Sequence, residues 1–317
     1  TYYLLYMKFV IFLILIILVS CQKEQQKFNH VIFSLTGGVT DSASGISAKF
    51  DPALHGSSIR AVVYRKKENS SGYQFTEPQK LDTSFQHVMK FKFKKLTPDT
   101  EYFYTFQFDG KTDYSYEGKF QTFPVSNEPA DFTIAFSCGN KYYEGQSAEE
   151  VANDTIFDVI KSIDPLLFIH TGDFHYDNLH VNDQRLFRKA FDSRLQGRQA
   201  NLYLNVPLMY VWDDHDYGDN NSSRYSDSKA AVHQVYRKYF PHYKLHGNDT
   251  TPIFQAFTIG RVRFIVTDLR TCSDPSGADN PLLEGKHIPG LVKENDEFFI
   301  PDHPGKTQLG DQQKAWF

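Results

Sequence analysis

At Ser126-Asn127-Glu128-Pro129-Ala130 the spacing of apolar residues changes period, and this divides the chain into two parts of different fold class. From His30 to Pro124 the period is two. Short alternating runs recur at Val31 to Leu35, Ser47 to Phe50, Ile59 to Tyr64, His87 to Phe93 and Tyr102 to Phe108. Gly, Asp, Ser and Pro clusters separate them, and Asp109-Gly110 is a hairpin turn signal. Strands so short and so spaced predict an all-β sandwich, closed by Gly118 to Pro124.

From about Asp131 strands and helices alternate. Phe132 to Ser137, Leu166 to His170 and Leu208 to Trp212 read as buried strands. Ala148 to Ile163 reads as a helix, with Val151, Ile156, Ile160 and Ile163 at helical spacing. Asp183 to Leu195 reads as a second, with Leu186, Phe187, Ala190 and Phe191 inward, and Lys229 to Phe240 as a third. Phe254 to Ile259 and Val262 to Asp268 read as strands around Gly260-Arg261. The order predicts a mainly parallel sheet with helices on both faces. With 28 Phe and 19 Tyr, the 317 residues can fill two large cores. The net charge of −4 is too small to argue for or against any partner, and no basic block suggests a nucleic-acid recognition module.

Ahead of the sandwich, Met7-Lys8 opens a short apolar run that ends in Leu18-Val19-Ser20-Cys21. One positive charge, an apolar stretch and small residues make a secretory signal. The run is too short to span a bilayer comfortably. Its end resembles a bacterial lipobox, which implies acylation of Cys21 and an exported, membrane-anchored lipoprotein, periplasmic or at the cell surface. The alternative is an ordinary cleaved signal. Residues 1–6 read as upstream translation, and residues 22–29 as a polar tether. With Cys21 lipidated, Cys138 and Cys272 remain; an oxidising compartment permits their pairing, which spacing alone does not decide.

Chemistry gathers at three strand ends. The first strand leads into Ser137-Cys138-Gly139-Asn140, and the second into Thr171-Gly172-Asp173-Phe174-His175-Tyr176-Asp177. The third leads into Asp213-Asp214-His215-Asp216-Tyr217-Gly218-Asp219-Asn220-Asn221. Ligands of open α/β sheets bind beyond the carboxyl ends of the strands, so these clusters should converge. Carboxylates are hard donors that can bridge two cations, and thiolate and phenolate suit a transition metal. Two neighbouring cations can polarise a phosphoryl group and activate water.

Gly172-Asp173-x-x-Tyr176 resembles the ligand motif of iron-containing metallophosphoesterases. Trp212-Asp213-Asp214-His215-Asp216-Tyr217-Gly218 resembles the PhoD-like alkaline phosphatase family almost letter for letter. Ser137-Cys138, Thr267-Asp268-Leu269-Arg270 and Leu309-Gly310-x-x-Gln313-x-x-Trp316-Phe317 match it in order, so the resemblance covers residues 30–317. Leu96-Thr97-Pro98-Asp99-Thr100-Glu101-Tyr102 looks like the turn of fibronectin type III-like domains, in which a Leu and a Tyr bury.

The resemblance implies an α/β calcineurin-like metallophosphoesterase sandwich at 131–317, preceded by an all-β fibronectin type III-like sandwich at 30–124. It implies a monomer with Fe(3+) and Ca(2+) that hydrolyses phosphomonoesters or phosphodiesters outside the cytoplasm. Cys138, Asp173 and Tyr176 would bind iron. Asp173 would bridge to calcium, held also by Asp214, with Asp177 and Asp213 as further candidates. His215 would serve the leaving group or the transition state. Arg270 fits either a phosphate ligand or, the favoured reading, an ion pair with Asp268. Two positions depart from the family: His175 replaces a common apolar residue and is read as a supporting or surface group, and Asp177 replaces a common Glu. The family supplies further ligands, histidines among them, beyond the Gln-x-x-Trp motif. The expectation is therefore an incomplete site and little phosphatase activity in the 317 residues alone. Two other readings are a purple acid phosphatase-like enzyme, opposed by Cys138 and Trp212 to His215, and a non-catalytic surface lipoprotein, opposed by the intact ligand residues.

Overall fold

The computed structural model describes residues 30–66, 72–81, 83–141, 145–275, 283–295 and 297–317. The signal segment, the tether and Cys21 lie outside the described residues. No described helix is long and apolar enough to cross a membrane.

The alternating runs form β1 (Val31–Gly37), β2 (Ala43–Phe50), β3 (Ser58–Tyr64), β4 (Gln74–Phe75), β5 (Gln79–Lys80), β6 (Val88–Lys94), β7 (Glu101–Phe108), β8 (Lys111–Thr112) and β9 (Gly118–Gln121). One antiparallel sheet runs β1-β2-β6. The other runs β4-β3-β7-β8, with β5 on β3 and β9 on β7. Period two turns alternate side chains inward. Thus β7 buries Tyr102, Tyr104, Phe106 and Phe108. Phe106 meets Phe50 of the opposite sheet edge-to-face at 5.1 Å. Asp109 and Gly110, with φ of 46° and 85°, close the β7–β8 hairpin. Leu96 and Tyr102 are buried as expected, and the Thr97 N–H donates to the Tyr102 hydroxyl at 2.9 Å.

The second part contains β10 (Ile134–Ser137), α1 (Ala148–Ala152), α2 (Ile156–Ile163), β11 (Leu167–His170), α3 (Gln184–Asp192), α4 (Gly197–Asn205) and β12 (Leu208–Tyr210). Then follow α5 (Asp214–Tyr217), α6 (Lys229–Tyr239), β13 (Gln255–Ile259), β14 (Val262–Val266), β15 (Val292–Glu294), β16 (Glu297–Phe299) and α7 (Gly310–Trp316). The sheet β10-β11-β12 is parallel, whereas β13-β14 and β15-β16 are antiparallel hairpins.

Three local expectations fail for physical reasons. The helix expected over 148–163 is two helices. The Asp154 side chain accepts the Ile156 N–H at 2.9 Å, and the helical face restarts there with Phe157 and Ile160 inward and Ile156 and Ile163 outward. In α3, Phe187, Ala190 and Phe191 occupy the inward stripe and leave Leu186 at its margin, partly exposed. The first strand, β10, is an edge strand rather than a buried one, with Phe136 75% exposed.

The sandwich packs on the α/β layer through α4 against β1 and through β1 against β12. A Cβ on Gly37 would stand 2.4 Å from the Leu208 carbonyl oxygen, so only glycine permits this approach. Lys49 pairs with Asp192 at 2.6 Å, and the Tyr243 hydroxyl donates to the Val39 carbonyl at 2.8 Å. The buried Lys90 ammonium reaches the carbonyls of Arg237, at 2.8 Å, and Phe240, at the α6 C-terminus. Those carbonyls lack helical partners and take the donor.

Candidate metal centre

The three parallel strands finish level, with Ser137 opposite His170 and His170 opposite Tyr210. Their loops therefore leave one edge of the sheet together. Backbone bonds join the first two: Thr171 N–H to Ser137 O at 2.9 Å, Gly139 N–H to Gly172 O at 3.1 Å and Asn140 N–H to Asp173 O at 2.9 Å. Gly172 has a φ of 113°, and a Cβ there would meet the Asp213 backbone nitrogen at 2.4 Å. Glycine thus lets the second and third loops touch.

Ligand atoms of Asp173, Asp214 and His215 lie within 4.8 Å of one another. The Tyr176 hydroxyl donates to Asp173 Oδ2 at 2.6 Å, while Asp173 Oδ1 is buried with no hydrogen-bond partner. Asp214 Oδ2 accepts the Asn221 N–H at 2.6 Å. His215 Nδ1 lies 2.6 Å from Asn178 Oδ1, and its ring packs 4.3 Å from that of Tyr176. Burial raises the Asp173 carboxyl above the usual range, and the charges of Asp214 and Asp213 add to this against the pull of the Tyr176 hydrogen bond. Burial and the bond to Asp173 push the Tyr176 phenol up as well. Converging acids that resist ionisation, with one buried oxygen left orphaned, fit a cation, whose charge would relieve both.

Asp173, Tyr176, Asp214 and His215 are thus brought together. Cys138 is exposed, carries a free thiol not bonded to Cys272, and stands outside the three-residue group. Asp177 is exposed and also outside it. Asp213 faces Arg270, whose Nε donates to its Oδ1 at 2.6 Å and whose Nη2 pairs with the same oxygen. Arg270 Nη2 also lies 3.7 Å from Asp214. The guanidinium therefore pairs with Asp213, not with Asp268 as expected.

Asp268 is instead a buried structural hub. Its carboxylate accepts from Trp212 Nε1, Ile253 N–H, and the N–H and hydroxyl of Thr271 at 2.6–3.0 Å. The Gln313 side chain brackets its backbone, accepting from the N–H at 2.7 Å and donating to the carbonyl at 3.0 Å. His175 is fully buried, 4.9 Å from the Phe191 ring, and burial lowers it to about 3. Asn178 lies outside the expected clusters, and for Asp216 and Asn221, which lie within the third, the sequence assigns no particular role. The two asparagines have positive φ, which Asn tolerates, and nothing local in sequence marks their partners.

Residues 133–317 match the model of the PhoD-like phosphatase family. No curated protein matches the chain by sequence. Among solved structures, the chain is similar to one of PhoD, with a TM-score of 0.68 and 18% identity over 90% of this chain and 58% of that one. It is also similar to the purple acid phosphatase PPD1 of yellow lupin (Lupinus luteus), with a TM-score of 0.51 and 14% identity over 75% and 44%. The chain therefore spans little more than half the length of the first structure and less than half of the second, and at these identities the likeness is one of fold: a β-sandwich followed by an α/β layer.

Proposed function

The chain belongs to the PhoD-like phosphatase family, and from that premise we propose that the whole protein hydrolyses phosphomonoesters or phosphodiesters in a metal-dependent reaction. The observation that carries the reading is the convergence of Asp173, Asp214 and His215, with Asp173 Oδ1 buried and unpartnered. Asp173 and Tyr176, joined by Cys138, would hold iron, and Asp173 and Asp214 would hold calcium, with Asp213 and Asp177 in reach of the same loops. When bound, such cations polarise the phosphoryl group and activate water. Asn178 engages Nδ1 of His215, so Nε2 is the nitrogen left to carry a proton to the leaving oxygen. Arg270, partly exposed beside Asp213 and Asp214, would bind phosphate oxygens.

The sandwich is read as fibronectin type III-like on its Leu96–Tyr102 turn. The protein is placed outside the cytoplasm, held by lipid on Cys21. That placement rests on residues 7–21 alone, and membrane partition of a Cys21→Ala variant checks it.

The enzymatic reading is tested with a chromogenic phosphodiester and a monoester, with Fe(3+) and Ca(2+) added. Metal-dependent hydrolysis that is lost in Asp173→Ala supports it. Hydrolysis untouched by Asp173→Ala, or no hydrolysis of either ester by the whole protein, overturns it.

A further inference from the structure

Asp216 follows the candidate ligands in sequence, yet its carboxylate turns away from them into the protein and is fully buried. Its Oδ2 accepts the Asp213 N–H at 3.2 Å, as part of a reciprocal cap at the start of α5. Capping accounts for that oxygen alone. The other, Oδ1, accepts the N–H groups of Phe174 at 2.6 Å and His175 at 3.1 Å, which lie 42 and 41 residues earlier in the chain. These are the two amides that follow Asp173, whose φ of 57° is left-handed. Successive amides after such a residue form a concavity for an anion. Here a side-chain oxygen from the other ligand loop fills that concavity.

From this geometry we propose that Asp216 is a positioning residue for the metal centre, fixing the backbone that presents Asp173 against the backbone that presents Asp214. The inference rests on reading those two as metal ligands. Asp216 touches neither cation nor substrate in this role. It holds Asp173 in a conformation uncommon for a residue with a side chain, and sets the gap between the loops that Gly172 allows to close. The link runs from one buried carboxylate to three backbone amides, so no side-chain substitution at positions 174 or 175 removes it.

The test compares the whole protein with its Asp216→Ala, Asp216→Asn and Asp173→Ala variants by two readouts: Ca(2+) affinity by titration calorimetry, and deuterium exchange at the Phe174 and His175 amides. Asp216→Ala should weaken calcium binding by about tenfold to a hundredfold and speed exchange at those two amides. Asp216→Asn keeps an oxygen that can accept both amides and should restore most of each; it decides the question if the alanine variant does not fold. Asp173→Ala should lose calcium while its amides stay protected, which separates loss of a ligand from loss of the loop's support; a merely structural Asp216 would speed exchange in Asp216→Ala without weakening calcium binding. Wild-type exchange at both amides and wild-type affinity in Asp216→Ala would overturn the inference. If the whole unaltered protein binds no calcium, the ligand reading fails by itself, and the exchange rates alone decide whether Asp216 fixes the loop.

Discussion

The two parts of the chain dispose of their apolar residues differently. In the sandwich, two sheets face one another and the large side chains between them are closed in, Phe50, Phe91 and Phe106 among them. Its exposed apolar residues, such as Ile32 and Phe75, are scattered. In the α/β part, α2 is apolar on two sides: Phe157 and Ile160 pack inward, while Ile156, Val159 and Ile163 face outward about half exposed. Phe136 on β10 and Val262 and Ile265 on β14 are exposed too. The candidate site nevertheless lies in this less closed part. Its geometry comes from level strand ends and loop-to-loop hydrogen bonds, which need no second apolar layer.

The comparison would break most clearly at Phe174. This fully buried ring touches His170, Phe191, Tyr203, Tyr210 and Phe240 at centroid distances of 5.0–6.0 Å, directly behind Asp173. Phe174→Ala should destabilise the α/β part by about 3–5 kcal/mol. Both tryptophans, Trp212 and Trp316, belong to that part, so their fluorescence reports it alone. In denaturant the fluorescence transition should move to lower concentration, while the β-sheet circular dichroism keeps a later phase. If both signals shift together, the contacts of Gly37, Lys49 and Lys90 make one cooperative unit and the division into two parts is energetically empty.

Period was the legible property. The sandwich runs, the Asp109-Gly110 hairpin and the Leu96–Tyr102 turn could be read because each depends on neighbours in sequence. So could the three ligand-rich strand ends, since a parallel order fixes which edge they share. What could not be read depends on contacts across the fold. The break between α1 and α2 is set by one Asp154 hydrogen bond, against a continuous helical spacing. Helix α4 carries a weak apolar stripe and is held by packing on β1. Arg270 had two nearby carboxylates to choose from: Asp268 is nearer in sequence, but it is already saturated by Trp212, Ile253 and Thr271, so the guanidinium pairs with Asp213.

A smaller effect should separate the parts by pH. Burial holds His170 at about 3, and burial with nearby Lys90 holds His242 at about 4, against about 6.5 for a histidine in the unfolded chain. Between these values the unfolded chain binds protons that the fold refuses. Each histidine therefore supports the fold fully above pH 6.5 and withdraws that support as pH falls toward its folded value, by up to about 1.4 kcal/mol per pH unit. Burial raises Asp216 to about 8, which opposes one histidine over the same window. Lys90, lowered to about 7, stays charged in both states over most of that window and adds to the slope only near its upper end. The net slope favours higher pH from 4 to 6.5. Tryptophan fluorescence should lose its native signal on acid titration before the sandwich unfolds, and His170→Phe should flatten the dependence. Equal acid sensitivity of both parts would dissolve the distinction.

The smallest expected change tests the uncovered face itself. Val159 and Ile163 are 53% and 55% exposed, on the outer side of α2, and Ile32 in the sandwich is 53% exposed. Equal exposure predicts equal stability effects, within about 0.5 kcal/mol, when each is replaced by lysine. Lysine has a somewhat better helix propensity than valine or isoleucine, and at position 163 it would sit favourably at a helix C-terminus, so the α2 pair should if anything gain slightly. Association should part the two sites. Val159 and Ile163 belong to a stripe with Ile156 along one helix, whereas Ile32 is the one exposed residue of β1. The Val159→Lys, Ile163→Lys variant should therefore sediment as a smaller species at high concentration, while Ile32→Lys sediments like the unaltered chain. A loss of more than about 2 kcal/mol in the α2 variant would mean that its outer face is buried in solution. The contrast between a closed sandwich and an open α/β layer would then have to be given up.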